Sequence, residues 1–301
     1  MRLALVSGKG GTGKTFLASS LARAWSGLGR PLVLADADVE GPNADRFLRG
    51  LSWEGDREVT VPVPSIARER CDLCGACAEA CRFHALVNVP GQRVVFVPSL
   101  CHSCGACRLV CPKQAIDEVP RTVGTLRQGR AGDVRLVQGI ATIGEERATP
   151  TIAATLERAA EVASDAGTGD VLVDGPPGAA CPTVEVAGFA DACLIVTEPT
   201  PFGLHDLRRV HALLEARSKP AAVAINRSRG AEADRAVREW CESRGLPIVL
   251  EVPDRRELAE AYAAGTALID ADPSLADALR VLRDELASWA GAGWSTREVA
   301  P

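Results

Sequence analysis

The chain has 301 residues, 47% of them hydrophobic, and a formal net charge of −5. That length accommodates one large α/β domain plus a small insertion, and the composition is that of a protein with a real core. The acidic balance gives no reason to expect nucleic-acid binding, and no apolar run reaches the length of a membrane span.

Leu3–Val6 is a short apolar run that predicts a buried strand starting almost at Met1. No room is left for a targeting peptide, and a soluble, cytoplasmic protein is expected. The strand runs into Gly8-Lys9-Gly10-Gly11-Thr12-Gly13-Lys14-Thr15, and Lys14–Ser26 reads as a helix. A Gly-x4-Gly-Lys-Thr loop between strand and helix turns backbone N–H groups and a helix N-terminus toward phosphate oxygens. Lys14 is expected to reach the β- and γ-phosphates of ATP, and the Thr15 hydroxyl to sit on Mg²⁺. Gly29 and Pro31 end the helix, and Leu32–Ala35 is the next strand, ending at Asp36-Ala37-Asp38.

Between about Val63 and Glu118 the strand–helix rhythm breaks. Pro62 and Pro64 open this stretch and Val119-Pro120 closes it. It holds eight of the eleven cysteines in two runs, Cys71-x2-Cys74-x2-Cys77-x3-Cys81 and Cys101-x2-Cys104-x2-Cys107-x3-Cys111-Pro112. This is the bacterial ferredoxin spacing, in which the fourth cysteine of each run ligates the other run's cluster. One [4Fe-4S] cluster is assigned to Cys71, Cys74, Cys77 and Cys111, the second to Cys101, Cys104, Cys107 and Cys81. Zinc sites usually use separated cysteine pairs, and disulfides fit poorly with a reducing compartment. Arg82 stands where the second run has Pro112, which removes no ligand. Ala85–Val89 and Arg93–Val97 flank a Pro90-Gly91 turn and read as a hairpin between the runs. His84 and His102 lie beside ligand cysteines; with eight thiolates present, a supporting or exposed position is expected for them.

After this insertion, Gly124–Gly139 reads as a hairpin and the alternation resumes. Strands are expected at Val171–Asp174, Cys193–Thr197, Ala222–Asn226 and Ile248–Val252. Helices are expected at Thr151–Ser164, Leu204–Arg217 and Glu232–Arg244. Leu275, Leu279, Leu282, Leu286 and Trp289 form an apolar stripe that reads as a helix packed on the domain, since a membrane-surface helix would add a basic face. The fold class is α/β: a doubly wound, mostly parallel P-loop NTPase sheet (1–62 and 119–301) with an inserted small α+β ferredoxin-like module (63–118).

The second loop lysine, Lys9, makes the loop resemble the deviant-Walker ATPases of the MinD/Mrp superfamily. The resemblance implies that Lys9 crosses a two-fold interface to the other subunit's nucleotide, so a homodimer with ATP at the interface is expected. Without it, Lys9 is a solvated loop lysine. Asp36–Asn43 resembles that group's first switch, with Asp38 matching the carboxylate that activates the attacking water and Asp36 available to the magnesium shell. Val171–Gly178 resembles Walker B entering the second switch, with Asp174 toward Mg²⁺; alone, each Asp would read as a cap or turn residue. Asn226, and Pro253-Asp254, resemble the adenine-side segments, although the same residues are ordinary turn formers. Glu198-Pro199-Thr200 also matches and suggests no distinct chemistry.

Cys181 sits where the nitrogenase iron protein has a shared-cluster cysteine, but Leu136–Glu146 lacks the second one; Cys181 therefore reads as a buried small hydrophobe. With the insertion included, the chain is similar to MinD-superfamily ATPases carrying an inserted 2[4Fe-4S] ferredoxin domain. Since the insertion follows the first switch, a switch movement could reposition the clusters, and an ATPase whose nucleotide state gates electron transfer to an unidentified redox partner is expected. Composition gives no reason to expect a membrane or nucleic-acid partner. Two alternatives stay open: an Mrp-type cluster carrier, which would need a C-terminal cysteine pair absent here, and a nucleotide-switched positioning or docking protein.

Overall fold

The computed structural model describes residues 1–27, 29 and 31–291, without the side chains of residues 287 and 289–291. In chain order the elements are β1 (Arg2–Ser7), α1 (Lys14–Ser26), β2 (Leu32–Asp36), a 3-10 turn (Ala44–Phe47) and β3 (Ser52–Ile66). The cysteine segment follows with α2 (Ala76–Ala80), β4 (Leu86–Val89), β5 (Arg93–Phe96) and α3 (Ala106–Leu109). Then come β6 (Ile116–Ala131), β7 (Val134–Ala141), α4 (Thr149–Asp165), β8 (Val171–Pro177), α5 (Cys181–Phe189) and β9 (Ala192–Thr197). The chain continues through α6 (Pro201–Glu215), β10 (Ala221–Ser228), α7 (Arg235–Ser243), β11 (Ile248–Pro253), α8 (Arg256–Ala263), α9 (Leu268–Ala271) and α10 (Ala276–Gly291).

Nine strands form one sheet in the order β11-β10-β9-β1-β8-β2-β7-β6-β3. The six pairings from β11 to β7 are parallel, and β7–β6 and β6–β3 are antiparallel. Central strands are apolar on both faces because helices cover both. On β1, Leu3 and Leu5 face the layer holding α1 and α10, while Ala4 and Val6 face the layer with α4, α6 and α7. The C-terminal stripe buries Leu279, Leu282 and Leu286, and the Trp25 indole N–H donates to the Leu279 carbonyl at 2.8 Å. The Trp289 side chain lies outside the described residues. No described helix is long and apolar enough to cross a membrane.

The structure departs from the sequence expectation at the prolines. Pro62, Pro64 and Pro120 do not interrupt structure: β3 and β6 pair from Ser52/Arg130 to Ile66/Ile116, with Pro62 opposite Pro120. Beyond Val59/Gly124, β6 no longer has β7 beside it, because Gly124 pairs with Ala141, the last residue of β7. There the two strands form a free ribbon, and a proline on a free edge forfeits no ladder bond. Since β7 is parallel to β2, this ribbon projects from the edge at which β2 ends in Asp36.

Candidate functional site

The loop after β1 is held by its own residues and by side chains from two later segments. Gly11 and Gly13 have φ of +77° and +91°. A Cβ on Gly13 would lie 2.3 Å from the Asn226 amide nitrogen, so the loop admits only glycine there. Lys14 is buried and donates to the Ser7 hydroxyl at 2.9 Å, which in turn donates to the Lys9 carbonyl at 2.6 Å. Burial pushes the Lys14 ammonium pKa down, while Asp174 and Asp38 oppose that shift. Lys9 pairs with Glu198 at 2.8 Å, and Arg227 pairs with the other oxygen of the same buried carboxylate. Glu198 was visible in the sequence only as a strand-end residue; its partners come from the loop after β1 and from the end of β10.

Asp36 and Asp174 are fully buried and face each other in the register of β2 and β8. Oδ2 of Asp36 accepts from the Asn43 and Ala44 N–H groups, both at 3.0 Å, and from the Gln138 amide at 3.1 Å. Its Oδ1 has no partner, and neither oxygen of Asp174 has one; the Thr15 hydroxyl nearby falls short of hydrogen-bond geometry. Burial pushes Asp36 up to about 6, and Asp38 adds to the shift. Burial, then the Asp36 charge, pushes Asp174 well above the ordinary range, with Lys14 opposing. Asp38 is raised by burial and lowered by Lys14. Bare buried carboxylate oxygens beside a phosphate-binding lysine suit a hard divalent cation, which takes one or two carboxylates and fills its shell with water and phosphate.

The residues expected on the adenine side stand together, since β10 pairs with β11 and the Asp254 N–H donates to the Ser228 carbonyl at 2.8 Å. Asn226 does not stand free. Its amide donates to the Thr12 carbonyl at 2.7 Å and its oxygen accepts from the Arg227 N–H at 3.0 Å, so it holds the loop itself.

At the far end of the ribbon, Cys71, Cys74, Cys77 and Cys111 line one cavity with Ile66 and Ile116. Cys81, Cys101, Cys104 and Cys107 line another with Pro62, Pro64 and Glu118. Positive φ values recur thirty residues apart, at Leu73 and Ser103, Gly75 and Gly105, and His84 and Gln114. Strained backbone repeated in register marks a loop built to a purpose. It lets backbone N–H groups reach sulfur: Ala85 to Cys81, Ala115 to Cys111, each at 3.3 Å, and Ser103 to Cys101 at 3.4 Å. Burial pushes the Cys77 and Cys107 thiols up. Among the described residues no group of three or more His, Cys, Asp or Glu is drawn tightly enough for a single metal ion. Four soft thiolates set apart around a cavity, with N–H donors to their sulfurs, instead suit a cubane, whose corners are wider. His102 stacks on Phe83 with ring centres 3.5 Å apart, at the wall of the second cavity.

Cys181 is corrected by the structure. It is exposed, not buried, because it opens α5, whose core-facing residues are Thr183, Val186 and Ala187. The remaining cysteines, Cys193 and Cys241, are buried.

A family model described as the CobQ/CobB/MinD/ParA nucleotide binding domain matches residues 3–269. The uncharacterized protein MJ0578 of Methanocaldococcus jannaschii is 31% identical over 210 residues, 70% of this chain and 72% of that one. An iron-sulfur cluster carrier protein of Saccharolobus solfataricus is 39% identical over 64 residues, 21% of this chain and 22% of its own length. The septum site-determining protein MinD of Pyrococcus horikoshii, solved with Mg-ADP, superposes with a TM-score of 0.58 at 17% identity, covering 98% of both chains, a likeness of fold. With a matched span of that length, the chain belongs to the CobQ/CobB/MinD/ParA nucleotide-binding domain family.

Proposed function

We propose that this chain is a cytoplasmic ATPase whose nucleotide state gates electron transfer from two [4Fe-4S] clusters to a protein partner. The observation that carries the reading is the ribbon of β3 and β6. It connects the two cysteine quartets, without an intervening flexible linker, to the sheet edge where Asp36 and the phosphate-binding loop lie. On this reading residues 63–118 are an inserted ferredoxin-like domain. Cys71, Cys74, Cys77 and Cys111 hold one cluster, and Cys81, Cys101, Cys104 and Cys107 the other. Bound there, each cluster supplies a one-electron couple. The exposed side chains of Phe83, Leu109 and Val110 on this segment are surface of the kind a partner covers.

At the other end, Lys14 neutralises phosphate charge and Asp36 and Asp174 hold the cation. Asp38 orients the attacking water, and Lys9 leaves Glu198 to reach the nucleotide of a second copy. Phosphoryl transfer needs little from the protein beyond such positioning and charge. The energy becomes useful when the γ-phosphate favours one arrangement of the segments after Asp36 and Asp174.

The test is anaerobic purification followed by electron paramagnetic resonance of the reduced protein without nucleotide, with ADP and with ATP. A nucleotide-dependent cluster signal is expected, with Asp38→Asn held in its ATP form. Identical spectra in every state, together with equal rates of oxidation by an added acceptor, would sink gating. The short stretch of identity to a cluster carrier supports a second reading, cluster delivery. It predicts iron moving to an apo-acceptor with stoichiometric loss from this protein.

A further inference from the structure

We infer that Gln138 is a positioning residue: one buried carboxamide that orients Asp36 toward the nucleotide's cation and, through Asp45, makes the cysteine-bearing ribbon answer to the nucleotide. The inference rests on the switch reading above and names the side chain that carries it.

Gln138 lies in β7, 2% exposed, opposite Asp36 of β2 on one side and Arg127 of β6 on the other. Its amide nitrogen donates to Asp36 Oδ2 and to Asp45 Oδ1, both at 3.1 Å. Two carboxylates can be faced only by the NH2 end of a carboxamide, since the carbonyl end has no proton to offer; the orientation follows from the chemistry. With three donors on Oδ2, Asp36 is fixed so that Oδ1 is left bare beside the bare oxygens of Asp174.

The second bond reaches further. Asp45 lies in the 3-10 turn that leads into β3, the first strand of the ribbon. The same β7 strand grips the segment in between. The Ala141 N–H donates to the Val39 carbonyl at 2.8 Å, and a Cβ on Gly139 would come within 2.8 Å of Val39. One residue later the Thr142 N–H donates to Val123 of β6 at 2.9 Å. Asp36, Val39 and Asp45 are thus tied to one strand, two of them by a single amide, and that strand is tied to the ribbon. A change in the geometry of Asp36 redistributes the amide's two bonds and is felt at the start of β3.

The experiment uses the full chain, isolated anaerobically with its iron. Gln138→Leu keeps the volume and removes both donors; Asp45→Ala removes only the outer acceptor. ADP affinity is measured with and without Mg²⁺. Backbone hydrogen exchange of residues 59–66 and 116–123 is followed without nucleotide, with Mg-ADP and with a non-hydrolysable Mg-ATP analogue. For Gln138→Leu, ADP affinity without Mg²⁺ is expected within twofold of wild type. The affinity gained on adding Mg²⁺ falls about tenfold, the low end for losing a group that orients a metal ligand. The ribbon's nucleotide-dependent protection disappears. Asp45→Ala is expected to keep the Mg²⁺ gain and lose the ribbon response. An equal loss of affinity with and without Mg²⁺ overturns the role at Asp36. A wild-type ribbon response in either variant overturns the role toward the ribbon. A wild type whose ribbon ignores nucleotide sinks the switch reading and the Asp45 half with it, while the Mg²⁺ comparison still judges the Asp36 half.

Discussion

Asp36→Asn is expected to make the nucleotide-free protein more stable at alkaline pH and to abolish its stabilisation by Mg-ADP. Burial, with the help of Asp38, pushes the Asp36 carboxyl from 3.8 up to about 6. That difference is about two pH units, worth about 3 kcal/mol at about 1.4 kcal/mol per unit. Because the folded value lies above the unfolded one, the protonated carboxyl's contribution is fully present below pH 4 and is lost as pH rises through about 6. At pH 8 the wild type therefore folds around a charge it would rather not bury. Asparagine keeps an oxygen for the Asn43 and Ala44 N–H groups and turns an NH2 toward the bare oxygens of Asp174, which is itself relieved of a like charge. For an unfolding entropy near 2 cal/mol/K per residue over the chain, 3 kcal/mol corresponds to about 5 °C. The assay is thermal unfolding in magnesium-free buffer at pH 5 and pH 8, repeated at pH 8 with saturating Mg-ADP. Ligand at about a thousand times Kd adds about 4.1 kcal/mol to the wild type, more than the variant's lead of about 3 kcal/mol. The two melting curves should thus change places when Mg-ADP is added. A variant without its gain at pH 8 in the cation-free buffer, or stabilised by Mg-ADP as much as wild type, refutes the reasoning.

Gly13→Ala drives a Cβ to 2.3 Å from the Asn226 amide at a φ of +91°. Nucleotide affinity measured by calorimetry should fall at least tenfold (~1.4 kcal/mol) with an unchanged circular dichroism spectrum. Leu282→Ala empties a site 1% exposed under α10, and should cost about 2–5 kcal/mol, or about 3–8 °C, with iron content unaltered. Cys181→Ala removes an exposed thiol at the start of α5; iron content should stay full, and loss of about a fifth would point to an additional cluster shared between two copies.

The parallel half of the fold was legible because its strands are apolar on both faces and punctuated by glycine and proline. All six strands expected there form, with helices between them displaced by a few residues at most. The loop between β1 and α1 was legible for another reason, as Gly8–Thr15 is contiguous in sequence. What escaped was decided by pairing across the chain. Pro62, Pro64 and Pro120 read as boundaries, yet lie within paired strands because a ribbon with free edges tolerates them. Gln138 and Glu198 carry no local signal: the partners of Gln138 lie about a hundred residues away, and those of Glu198 lie 189 and 29 residues away. Cys181 was misplaced because burial depends on which face of α5 meets the sheet, and a nine-residue helix with apolar residues all round has no stripe to show it.

The ribbon also sets what the nucleotide must supply. Seven residue pairs extend beyond Val59/Gly124, a lever of about 23 Å at 3.3 Å per residue. Pro62 and Pro64 wall the cavity of Cys81, Cys101, Cys104 and Cys107, whereas Ile66 and Ile116 wall that of Cys71, Cys74, Cys77 and Cys111. The first quartet is therefore the nearer to the nucleotide edge. A tilt of about 10° at the root moves the far tip by about 4 Å over that lever. Swinging such a ribbon from one posture to the other, from 1:99 to 99:1, needs a preference of about 5.5 kcal/mol. A tenfold contribution through Gln138 is about 1.4 kcal/mol, a quarter of it. The amide can thus transmit the choice without making it. On the proposed reading the remainder would come from contacts that exist only with the γ-phosphate in place, and a second copy whose Lys9 exchanged Glu198 for that phosphate would be such a contact.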